Sequence, residues 1–237
     1  MSMFNSREGM EPFHLLDAYP WASLDDGKGS LIVDVGGSHG PVSIALAQRF
    51  PSVRCIVQDL PDTIAKGPAQ TPPELKDRVT FMAHDFFTTQ PVVGADVYYF
   101  RWIFHDWSDK YCIQILQNLI SALKPNARVV ISEYCLPEPG MVSLLKERMM
   151  RYVVVIVGTF SVAMSFRTVD EPSSPLTYMS RAFDLAMLEL QNSKEREASD
   201  WAALFERADP RFEFMGVRAP PKSLLSIIEA KWKGVNP

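Results

Sequence analysis

The segment Leu31-Ile-Val-Asp-Val-Gly-Gly-Ser-His-Gly40 decides the fold, because a short β-branched apolar run stops abruptly in glycines. Leu31 to Val35 reads as a parallel strand covered on both faces. Gly36 and Gly37 let the backbone turn sharply and approach a bound molecule. Beyond them Val42, Ala45, Leu46 and Phe50 fall at helical spacing, so a helix follows whose first amides are expected to face a ligand. Its N-terminus favours polar or anionic groups. Glycine kept for packing alone is the competing reading, and the next strand weighs against it. Arg54 to Leu60 carries Asp59, 19 residues past Gly40, where a carboxylate can accept two hydrogen bonds from a ribose diol. The glycines fit G-G-x-x-G rather than G-x-G-x-x-G, which weakens a dinucleotide reading and leaves an adenosine reading intact.

Outward from this segment, the chain alternates strands and helices. Val79 to Phe87 is a third expected strand, Ala95 to Trp102 a fourth and Arg128 to Cys135 a fifth. Between the last two, Ser108 and Asp109 are candidate N-caps for a helix with Cys112, Ile115, Leu116, Leu119, Ile120 and Leu123 on one stripe. Ser199 to Ala208 is a capped helix, and Arg211 to Arg218 with Leu224 to Trp232 forms an antiparallel edge. The expected fold is α/β, a Rossmann-like, doubly wound, mostly parallel sheet of seven strands. Ligands of such sheets bind beyond the C-terminal strand ends. Asp34, Asp59, Asp85, His105 and Glu133 all fall there, and as a set they point to a site. Met10 to Trp21 is a short apolar helix that either packs on the sheet, the expected case, or lines the mouth of the site, so residues 1–30 read as a helical remnant or linker and 31–237 as the main domain.

Residues 152–180 break the pattern. Val153 to Val157 suits a strand and the Ser-, Thr- and Pro-rich tract to Thr177 suits nothing regular, whereas Leu144 to Arg151 and Arg181 to Gln191 both read as helix. Removing these 29 residues would join the two into one amphipathic helix, so the segment reads as an insertion, with retained intron sequence as one origin.

Composition narrows the classes. The chain has 237 residues, 47% of them apolar, enough for a sizeable core. A net charge of −4 offers no basic footprint for nucleic acid. Cys55, Cys112 and Cys135 lie in or near apolar runs without paired spacing, which reads as reduced thiols and a cytoplasmic protein. No stretch has the 18 apolar residues of a membrane span, and no signal pattern opens the chain.

The run Arg101-Trp-Ile-Phe-His-Asp-Trp-Ser-Asp109, with Val33 to Gly37, Gln58-Asp-Leu-Pro61, His84-Asp-Phe-Phe87 and Lys194-Glu-Arg196, resembles the plant and fungal caffeate-type O-methyltransferases, most closely their fungal branch. The motifs keep the family's order from about Met10 to the C-terminus. The resemblance implies S-adenosylmethionine as cofactor and a phenolic or polyketide acceptor. It implies that Gly36 and Gly37 contact the cofactor's amino-acid portion, Asp59 the ribose, Asp85 and Phe86 the adenine, and Arg101 the carboxylate. His105 falls at the family's general base, and Glu133 and Glu195 at the two acids that bracket it. Family members are typically homodimers with an N-terminal dimerisation domain, almost all of which this sequence lacks.

Chemistry supports the assignment of His105. A phenol of pKa about 10 must lose its proton as it attacks a sulfonium methyl, and an imidazole of pKa about 6.5 can take it without a metal. A histidine held structurally between Trp102 and Trp107 is the plainer reading of that residue alone. A cofactor-binding protein without turnover is the rival from another class. An NAD-dependent dehydrogenase lacks the glycine spacing, and a non-methylating cyclase of the same family stays open.

Overall fold

The computed structural model describes residues 11–25, 27, 29–136 and 195–234. The expected insertion at 152–180 and its flanking helices lie outside them. Five parallel strands form one side of a seven-stranded sheet: β1 (Leu31–Val35), β2 (Arg54–Asp59), β3 (Val79–Ala83), β4 (Val97–Arg101) and β5 (Arg128–Glu133). A short pair, β6 (Cys135–Leu136) and β7 (Arg196–Glu197), lies apart from it. β8 (Phe212–Arg218) and β9 (Ser226–Trp232) complete the order β3-β2-β1-β4-β5-β9-β8, β9 running antiparallel to both its neighbours. The seven strands and the antiparallel edge are as the sequence implied.

The side chains of β1 and β4 alternate between two cores. Val33, Val35, Tyr98 and Phe100 join Val129 and Ile131 beneath α5 (Asp109–Leu119) and α6 (Ala198–Ala208). Ile32, Val97 and Tyr99 face the other way with Val57 and Val130, covered by α1 (Pro12–Ala18) and α2 (Pro41–Arg49). Period-two alternation therefore buries both faces, which is why these strands read as unbroken apolar runs. Helical turns α3 (Pro61–Ile64) and α4 (Gly67–Gln70) bridge β2 to β3. α1 is held to the sheet as expected: Leu15 and Leu16 are buried, and the Tyr19 hydroxyl donates to Glu229 Oε1 at 2.9 Å. No helix among the described residues is long and apolar enough to cross a membrane.

Several boundaries differ from expectation. The third strand stops at Ala83 because Asp85 turns the chain, its Oδ1 accepting from the Phe87 amide at 2.9 Å. The fifth breaks after Glu133, and only Cys135–Leu136 resumes extended pairing. Ser108 occupies the N-cap position of α5, but its side chain makes no cap bond. α6 is capped two residues earlier than expected, by Glu197 and Asp200 in a reciprocal capping box.

Candidate active site

The sheet order reverses between β1 and β4, and an open α/β sheet leaves its crevice at such a point. The glycine turn leaves β1 there, beside the chain that leaves β4. Gly36, at φ +74°, is the residue that turns the backbone. A Cβ on Gly36 would lie 2.4 Å from Ile103 Cδ1, and one on Gly37 2.5 Å from the Asp34 carboxyl carbon. The missing side chains thus let the turn close on Asp34 and on the segment that carries His105.

The turn's own amides are already spent. Gly36 and Gly37 both donate to the Gln58 carbonyl, at 2.8 and 3.0 Å, Ser38 donates to Asp59 Oδ2 at 2.9 Å, and Gly40 to the Gly37 carbonyl. Pro41, the first residue of α2, has no N–H to offer. The helix whose first amides are expected to face a ligand therefore offers none at Pro41, and its donors there begin at Val42.

Asp34 is buried, with Ser43 Oγ donating to its Oδ2 at 2.7 Å. Burial pushes its carboxyl up to about 6, against the pull of the Ser43 hydrogen bond and the Arg101 charge. Asp59, half-buried at the end of β2, also accepts the Leu60 amide on Oδ1 at 2.8 Å. A carboxylate has about four lone-pair positions, so two stay open for a diol. Asp85 is exposed, while the Phe86 ring lies 4.0 Å from the Gly36 Cβ direction. Phe86 and Phe87 pack edge-on against Trp107. Arg101, half-buried, lines a small cleft with His14, Ser132, Ser223 and Ile227. No other predicted site residue lines that cleft. Asp59 thus keeps acceptor positions open and Phe86 borders the glycine turn, while Arg101 faces a cleft of its own.

The loop that carries His105 is built by a strained exit from β4. Trp102 has φ +58°, a left-handed conformation that a bulky side chain rarely adopts. The reversal brings the Ile103 and Phe104 amides onto one oxygen, Glu133 Oε1, at 2.8 and 2.5 Å. A single 3-10 turn, Phe104–Asp106, then presents His105. Its Nδ1 lies 3.4 Å from Glu195 Oε1 and its Nε2 3.4 Å from Asp106 Oδ1, ion-pair separations longer than a tight hydrogen bond. Burial pulls the imidazole down, but Glu195, Glu133 and Asp106 outweigh it and hold the group up at about 8. Burial, reinforced by Glu195, pushes Glu133 up to about 7, against the pull of His105, Arg196 and the Ile103 amide. Among the described residues Glu133 Oε2 has no hydrogen-bond partner.

All nine predicted site residues lie within the described structure. His105, Glu133 and Glu195 form one buried cluster, and Ile103 joins it to the glycine turn. Asp106, from the same turn, faces Nε2. Three further residues escaped the sequence reading. Gln58 and Gln90 exchange two amide hydrogen bonds of 2.8 Å in the interior, pinning the strand whose carbonyl holds the glycine turn. Arg196 is almost fully buried. A lone glutamine in an apolar strand was a visible signal for the first pair, and the Lys194-Glu-Arg196 motif for the third.

Residues 22–170 match the family model described as an O-methyltransferase domain. The curated relatives include the grayanic acid biosynthesis cluster O-methyltransferase of Cladonia grayi, 46% identical over 98% of this chain and 45% of its own length. The chlorophenol O-methyltransferase of Trichoderma longibrachiatum is 39% identical over 98% of this chain and 44% of its own. This chain thus spans about half the length of the curated relatives it matches. A solved structure of LepI in complex with SAM shares the fold, at a TM-score of 0.68 and 24% identity, over 92% of this chain and 48% of that one. With well over half its residues matched by the family model, the chain belongs to the O-methyltransferase domain family.

Proposed function

We propose that this protein transfers a methyl group to a phenolic hydroxyl of a small aromatic or polyketide metabolite, with His105 as general base. S-adenosylmethionine is the cofactor, in keeping with the O-methyltransferase domain and with LepI, which has the same fold and was solved in complex with SAM. Bound, it supplies an electrophilic methyl on a sulfonium. Asp59 holds the ribose hydroxyls, Asp85 and Phe86 take the adenine, and Arg101 the carboxylate beside Gly36 and Gly37. Ile103, packed on Gly36, fixes the distance between that pocket and the base loop.

The observation that carries the reading is His105 held between Glu195 and Asp106 on a loop that touches the glycine turn. Glu195 at Nδ1 sets the tautomer and stabilises the imidazolium, leaving Nε2 to take the acceptor's proton once Asp106 gives way. A base held near pKa 8 lies closer to a phenol near 10 than an ordinary imidazole does, which shortens the proton-transfer gap. A phenolic acceptor agrees with the relative named a chlorophenol O-methyltransferase. The reaction needs no metal, since His105 is the proton acceptor, and EDTA should leave the rate unchanged.

The test incubates the full chain with methyl-labelled S-adenosylmethionine and a panel of phenols, read by mass spectrometry, with cofactor binding followed by calorimetry. Labelled methyl ethers support the proposal. Binding without any labelled product overturns it in favour of a binding protein, and the absence of binding overturns both.

A further inference from the structure

Arg196 is only 1% exposed and is committed to the turn that carries His105. Its Nη1 donates to the Phe104 carbonyl and its Nη2 to the Trp107 carbonyl, both at 2.9 Å, so one guanidinium grips the backbone on either side of His105. Nη2 also meets Asp109 Oδ1 at 2.9 Å and Cys112 Sγ at 3.2 Å, and Nε meets Asp109 Oδ1 at 3.2 Å. The opposite face of the guanidinium lies over the Trp201 ring, 5.3 Å from its centroid. Burying a cation is costly unless its donors are satisfied, and a simple helix anchor at Asp109 would not need the two carbonyls.

The chain neighbour of Arg196 is Glu195, the acid facing His105 Nδ1. β7 pairs Arg196 with Cys135, two residues past Glu133. One backbone position therefore holds Glu195 and the guanidinium, and the guanidinium holds the turn that bears His105. We propose that Arg196 is a positioning residue that sets the separation between His105 and Glu195, touching neither cofactor nor acceptor itself. Lysine cannot replace it, because a point ammonium cannot reach both carbonyls and Asp109 in one plane.

Among the described residues the groups facing His105 are Glu195 from just before β7, Asp106 from its own turn and Glu133 from the end of β5. Loosening the clasp withdraws Glu195 first, so the imidazole should titrate lower. The rate arm of the test rests on the proposed methyl transfer, whereas the titration arm does not. If the wild type transfers no methyl, that reading fails while the titration still decides the role of Arg196.

The test is NMR titration of His105 in the full chain for wild type and Arg196→Lys, with kcat and KM measured below the melting temperature. We expect the His105 pKa to fall toward its ordinary value of about 6.5, and kcat to fall on the order of 10²-fold with KM nearly unchanged. A folded Arg196→Lys variant with an unaltered His105 pKa, or one that is merely less heat-stable, would overturn the proposal. Should that variant not fold, Asp109→Asn loosens the same guanidinium and should shift the same titration; an unmoved pKa overturns the proposal there too. Failure of both variants to fold would assign Arg196 to folding alone and likewise overturn it.

Discussion

His105 faces a carboxylate at each ring nitrogen, Glu195 at Nδ1 and Asp106 at Nε2, and a third, Glu133, holds the loop in front of it. Three acids around one imidazole favour its cation, so His105, the proposed base, is mostly protonated at neutral pH and must lose that proton before it can take another. Methyl transfer should accordingly rise with pH and level off above about 8, a profile that kcat/KM from pH 6 to 10 would reveal. A profile flat across that range would exclude His105 as the base. Glu133→Gln keeps an acceptor for the Ile103 and Phe104 amides but removes a negative charge. It should lower the midpoint of the same profile by about one unit.

The glycine turn and the β4 exit meet as elements through Gly36 and Ile103, so each limits where the other can sit. Gly37→Ala would drive a methyl into the Asp34 carboxyl, 2.5 Å away, a buried group already held by Ser43. The cost should be about 1–3 kcal/mol of stability, measurable by denaturant unfolding, together with weaker cofactor binding. Full stability in that variant would mean that the turn is loose. The strands were legible because continuous apolar runs end in acids at one rim. The turn's hydrogen bonding was not, because its amides are satisfied by the Gln58 carbonyl and the Asp59 carboxylate on another strand. Nor was the left-handed Trp102, whose conformation is compensated by Glu133, 31 residues later. Arg196 escaped for a similar reason: two of its partners are carbonyls, which no residue type announces.

Across the whole molecule, buried acids set how stability varies with pH. Asp34 is raised from 3.8 to about 6 and Glu133 from 4.5 to about 7, so each favours the folded state most in its neutral form. Their contribution is complete below about pH 4 and is lost as the pH climbs through 6 and then 7. The raised imidazole of His105 acts in the same direction up to about 8. Asp34 alone accounts for about 3 kcal/mol of that decline. Asp34→Asn keeps the shape without the titration, so urea unfolding at pH 4.5 and 7 should differ much less in the variant than in the wild type. Equal pH sensitivity would place the effect elsewhere.

The two-core sheet brings together a glycine turn and a histidine loop that meet at Gly36 and Ile103, 67 residues apart, and the account stands on what that meeting does. Single-turnover methyl transfer to a phenol at pH 8.5, with S-adenosylmethionine saturating, compares wild type with His105→Gln most directly. We expect the variant to bind the cofactor as the wild type does and to transfer the methyl about 10²–10⁴-fold more slowly. Equal rates in the two proteins would contradict it.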